Sequence, residues 1–102
     1  MILRNGVLLA ATLLVAFAPG ARALEFINEQ PEAVRIIIEK WVQILNPKST
    51  GKFNPSADPV EFRAEFPVFL IRCKAPKDAT VLFKDNACYV NGEKVAEGQF
   101  RM

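Results

Sequence analysis

Pro31-Glu32-Ala33-Val34-Arg35-Ile36-Ile37-Ile38-Glu39-Lys40-Trp41-Val42-Gln43-Ile44-Leu45 is the stretch on which the fold turns. Val34, Ile37, Ile38, Trp41 and Leu45 recur at helical spacing and make one apolar stripe. Glu32, Arg35, Glu39, Lys40 and Gln43 take the opposite side, with Arg35 and Glu39 at i,i+4. Pro31 suits a first helical turn, where its missing N–H costs nothing, and Asn28 or Gln30 is placed to cap it. Asn46–Pro47 supplies the stop, because a residue before proline is pushed out of the α region. The spacing predicts an amphipathic helix over 31–45. Ile36 alone falls on its polar face, which makes it the candidate binding residue.

Working outward, residues 46–59 hold three prolines, a glycine and several Ser, Thr, Asn and Asp, and predict a loop pinned by Phe53. Residues 59–66 carry two signals. Asp58-Pro59-Val60-Glu61 resembles a helix start with a capping box, whereas Val60, Phe62, Ala64 and Phe66 alternate with polar residues as a strand does. The start signal favours a short second helix. Beyond Pro67 the pattern is β, with strands expected over 68–73, 79–83, 87–90 and 93–95. Asn91–Gly92 predicts a type I′ hairpin that sets Cys88 opposite Val95 and Tyr89 opposite Lys94. Val68 to Ile71 is apolar on both faces, so one helix covers only half of it. The other side needs the 53–66 segment, the hairpin or another chain.

The expected fold is therefore α+β: one helix on an antiparallel sheet of three to four strands, in a single domain over 24–102. Val34, Ile37, Trp41, Leu70, Val81 and Phe83 are its expected core. Residues 1–23 read as a secretory signal peptide: Arg4, an uncharged run from Val7 to Ala18, then Ala21-Arg22-Ala23 as the cleavage pattern. The run is too short to span a bilayer. No second span follows, so no membrane segment is expected after cleavage. In an oxidising compartment the two cysteines, Cys73 and Cys88, are expected to pair. A plain meander would set them at opposite edges of the sheet, too far apart to bond, so the bridge requires a less simple topology.

Charge and composition exclude several functions. The 13 Lys and Arg include Arg4 and Arg22 of the leader, and all 11 Asp and Glu lie beyond it, leaving 11 against 11 in residues 24–102. A neutral chain has no basic surplus for nucleic acid or for anionic lipid. With no histidine, Ser49 and Ser56 have no imidazole base, and two cysteines 15 positions apart have neither zinc nor redox spacing. Glu61 and Glu65 would share a helix face but read as a solvated surface. No catalytic residue, metal or cofactor is expected. What remains is an exported, non-catalytic binding, inhibitory or accessory domain of the periplasm or exterior, with another protein as partner and self-association open. The alternative is a subunit of a cell-envelope assembly, such as a secretion or conjugation apparatus, completed by a neighbouring chain.

Overall fold

Residues 34–45 fold as two strands joined by a two-residue turn, not as a helix. The structure, a computed structural model, describes residues 23–100, and all ten elements in it are strands. They are β1 (Leu24–Asn28), β2 (Val34–Ile38), β3 (Trp41–Leu45), β4 (Ser49–Phe53) and β5 (Val60–Glu65), then β6 (Phe69–Ala75), β7 (Thr80–Lys84), β8 (Ala87–Val90), β9 (Glu93–Glu97) and β10 (Gln99–Phe100). The expected α+β class is overturned, and so is the short helix over 59–66, which is β5. The proposed signal peptide lies outside the described residues but for Ala23.

Two five-stranded sheets result: β4-β1-β7-β8-β9 and β10-β6-β5-β2-β3. All pairings are antiparallel except that of β1 with β7. The inner faces meet in one core, with Leu24, Phe26, Val81 and Phe83 from the first sheet and Val34, Ile36, Ile38, Phe62 and Ile71 from the second. Phe62 touches Phe26 and Phe83 edge-on, with ring centroids 5.1 and 6.4 Å away, and Phe66 approaches Phe83 at 6.0 Å. Edge-to-face contacts of this kind set the positive rim of one ring on the negative face of another.

The reason for the misread helix lies in side-chain shape. Val34, Ile36, Ile37, Ile38, Val42 and Ile44 are all β-branched, and such residues lose freedom in a helix but pack well on a pleated surface. In a strand of period two, Val34, Ile36 and Ile38 face the core, and all three are fully buried. Ile36 is thus a core residue, not an exposed contact. Of the expected core, Val34, Val81 and Phe83 are buried, Ile37 and Leu70 are half-buried on the outer face, and Trp41 is largely exposed. The expected loop over 46–59 contains β4. In β5 the alternation wins: Val60, Phe62 and Ala64 point inward.

The hairpins follow the turn chemistry more closely. Asp85 and Asn86 both adopt positive φ (52° and 59°), as do Asn91 and Gly92 (52° and 89°), the geometry of type I′ turns. Tyr89 pairs with Lys94 as expected, but a bulge between Cys88 and Tyr89 sets Cys88 opposite Ala96 and leaves Val95 unpaired. Cys73 on β6 and Cys88 on β8 are bridged, with Cα atoms 6.7 Å apart. The bond joins the two sheets across the core, so the meander difficulty vanishes once the strands belong to different layers.

Two buried polar side chains secure the crossover from β1 to β2. Asn28 Nδ2 donates toward the carbonyls of Glu32, Leu45 and Asn46 at 2.9, 3.1 and 3.2 Å, and its Oδ1 accepts the Gln30 N–H at 3.0 Å. Gln30 then exchanges two bonds with Asn86, donating from Nε2 to Oδ1 at 3.0 Å and accepting the Asn86 N–H at 2.8 Å. They serve a strand crossover, not a helix cap.

Asn28→Asp keeps the shape and the Oδ1 acceptor but turns a carboxylate on three carbonyls. It is expected to cost about 3 kcal/mol in urea unfolding at pH 7, since buried polar groups are left unpaired. Removing the bridge by Cys73→Ala with Cys88→Ala should likewise cost about 3 kcal/mol in the chain-entropy picture for a loop this short, read as a lower urea midpoint.

Candidate functional site

The four sheet edges differ in chemistry. Edge strand β9 carries Glu93, Lys94 and Glu97, with Lys94 Nζ donating to Glu97 Oε2 at 2.7 Å. That pair holds the Glu97 carboxyl below, and the Lys94 ammonium above, its ordinary range, through the hydrogen bond first and the charge second. Strand β4 is Ser-Thr-Gly-Lys-Phe, and β10 is two residues long. Charge, polarity and shortness are the usual protections of an exposed edge. Strand β3 is neither charged nor short, and its one polar side chain, Gln43, turns inward. Its sequence is Trp-Val-Gln-Ile-Leu, and Trp41, Val42 and Ile44 are 57%, 55% and 62% exposed.

The geometry of β3 follows from its hairpin. Ile38 pairs with Trp41 across the two-residue turn, Ile36 with Gln43 and Val34 with Leu45. In such a hairpin those pairs exchange the backbone bonds, so Val42 and Ile44 direct their N–H and C=O groups to the open edge. Among the described residues, no hydrogen bond reaches these groups from a further strand. Their side chains lie on the outer face beside Ile37 and Arg35. Gln43 and Leu45 turn inward and close the flank of the sandwich over β4. A Cβ on Gly51 would stand 3.0 Å from Gln43 Nε2 and 3.2 Å from Leu45 Cδ1, so these two side chains pack closely over the glycine.

The turn before β3 is held from outside. Glu39 sits in the left-handed region at φ 54°, which a glutamate adopts at a cost. One of its carboxylate oxygens accepts the Ser56 N–H at 2.8 Å, the Ser56 hydroxyl at 3.0 Å and the Ala57 N–H at 3.1 Å. These bonds, the Ser56 backbone N–H foremost, hold the carboxyl below its ordinary range. The sequence signal for this turn is absent, since neither Gly nor Asn occupies it.

The remaining candidate residues disperse. Ser49 Oγ donates to the Asn46 carbonyl and Ser56 Oγ to Glu39. Glu61 and Glu65 share the outer face of β5 about 13 Å apart along the strand, and each faces a cation: Lys74 at 3.7 Å and Arg63 at 3.0 Å. Cys73 and Cys88 are spent in the bridge. Among the described residues, no three His, Cys, Asp or Glu side chains stand together to hold a metal, and no helix is long and apolar enough to cross a membrane. A disulfide-bonded small domain of this kind is compatible with export. No protein-family model, curated protein or solved structure matches this chain. The exposed edge is therefore the candidate site on its own geometry. The signal that would have found it is the density of β-branched residues from Val34 to Ile44.

The Glu39 clasp has a pH signature. Its folded pKa is depressed, so its stabilisation is complete above the unfolded carboxylate value near ~4.3 and fades as pH falls through the lower folded value. The Ser56 and Ala57 amide resonances should titrate together in that acidic window. In Glu39→Gln that shared titration should be gone.

Proposed function

We propose that this chain is an exported, non-catalytic binding protein that engages another protein through the open edge of β3. The single supporting observation is the contrast among edges: the one unprotected by charge, proline or brevity is also the one where Trp41, Val42 and Ile44 are exposed together. A partner strand laid along it would exchange four main-chain hydrogen bonds with Val42 and Ile44, two donated by their N–H groups and two accepted by their C=O groups, and flank both side chains, the mode called strand addition. Export accords with the bridge and with the leader pattern at residues 1–23. No cofactor, metal or nucleic acid enters this reading.

The same edge favours a more specific alternative, a subunit of an envelope assembly whose sheet a neighbouring chain completes. Sedimentation of the purified 24–102 chain separates the two. A folded monomer whose behaviour does not change with concentration supports an independent binding protein, and a self-associating or partly unfolded chain supports the subunit.

Ile44→Lys places a charge on the open edge without touching the core. It should preserve the fold and the Cys73–Cys88 bridge while reducing capture of the partner from envelope extract at least tenfold. Undiminished capture by this variant would move the contact away from β3. Export is checked separately: the amino terminus of protein recovered from the periplasm or medium should be Leu24.

A further inference from the structure

The outer face of the second sheet carries an unusual row. Val42, Ile37, Arg63 and Arg72 lie side by side on β3, β2, β5 and β6, so the two arginines stand directly opposite each other on neighbouring strands. Like charges at opposed positions of an antiparallel pair repel, and the repulsion needs a counter-charge between them. The chain supplies only part of one. Glu65 Oε2 lies 3.0 Å from Arg63 Nε, but the N–H is not directed at it. This Nε is shielded from solvent and has no hydrogen-bond partner. Such groups are rare in folded proteins and call for an explanation. Arg72 is exposed and, among the described residues, has neither ion pair nor hydrogen bond.

Both arginines open into a shallow cleft of about 680 Å³, within the size range of ligand sites. Its apolar parts include Ile37 and Val95, the residue released by the β8–β9 bulge. Its charged lining is Arg63, Arg72 and Lys74 against Glu39 and Glu61, and Glu65 beside Arg63 adds a third carboxylate. Lys74 is already held by Glu61 at 3.7 Å. Arg63 has Glu65 beside it, and Glu39 is engaged by Ser56 and Ala57. Arg72 is thus the cation of this lining without a counter-charge among the described residues, and one planar, fork-shaped guanidinium suits a planar monoanion better than a dianion.

We infer that the Arg63–Arg72 cleft binds a carboxylate borne next to an apolar group, with the two guanidinium groups sharing the anion and Ile37 and Val95 taking the apolar part. That chemistry is common to a glutamate side chain in an apolar peptide and to a small aliphatic acid. The cleft adjoins the β3 edge through Ile37, the cross-strand neighbour of Val42, but uses none of the open backbone groups of β3, and neither reading depends on the other.

The test is a titration of the 15N-labelled, disulfide-bonded chain, following the Nε–H resonances of Arg63 and Arg72. The probes are acetyl-Leu-Glu-Leu-amide, acetyl-Leu-Gln-Leu-amide, hexanoate and inorganic phosphate at matched ionic strength. The glutamate peptide or hexanoate should move both resonances saturably, and the tighter of the two identifies the source. Arg72→Gln should weaken that binding at least tenfold while leaving the backbone spectrum and the bridge intact, and Lys52→Gln on β4 should leave binding unchanged. The inference is overturned if neither carboxylate binds, if the glutamine peptide binds equally well, if Arg72→Gln has no effect, or if phosphate binds more tightly than both carboxylates.

Discussion

Everything in this protein depends on the interlayer contact between the two sheets. Among the described residues the buried apolar side chains form one cluster, and the phenylalanines fill it: Phe26 and Phe83 from one sheet, Phe62, Phe66 and Phe69 from the other. Small domains bury a smaller fraction of their surface than large ones and sit close to the limit of stability. The Cys73–Cys88 bond ties the same two layers covalently, so the main apolar contact and the one covalent constraint act on the same separation. Asn28 and Gln30 do the complementary work at the sandwich end, where the chain leaves one sheet for the other and backbone groups would otherwise be buried without partners.

The legible parts of the sequence were those fixed locally. Asn91–Gly92 announces its turn because few residues tolerate positive φ, and β8 falls on the expected residues. Cysteine pairing followed from compartment and parity. What escaped was decided at long range or by side-chain shape. Val34, Ile38 and Leu45 satisfy both a helical stripe and a strand face, so they do not discriminate. Ile36 and Trp41 do, and they exchange roles between the two readings. The Glu39–Lys40 turn gave no warning because what holds it, the Ser56–Ala57 segment, is 17 and 18 residues away.

The candidate edge is illegible in the sequence for the same reason. On a helix, Val42 and Ile44 flank the Trp41 stripe and raise no question. On an edge strand they become an unprotected template, and only the sheet order shows that β3 is an edge at all. The contrast with β9 is instructive, since two strands of equal length at two sheet edges carry opposite chemistry.

The lone parallel pairing carries a consequence for how the chain assembles. Strand β1 lies between β4 and β7, and Glu25 meets Thr80 only after 55 intervening steps along the backbone (80 − 25). Contacts of such high sequence separation close large loops and slow the search for the native state. During synthesis β1 thus has one flank unoccupied until β7 emerges. Kinetically, β1 waits for β7, and the interval is when the nascent chain is most open to mispairing.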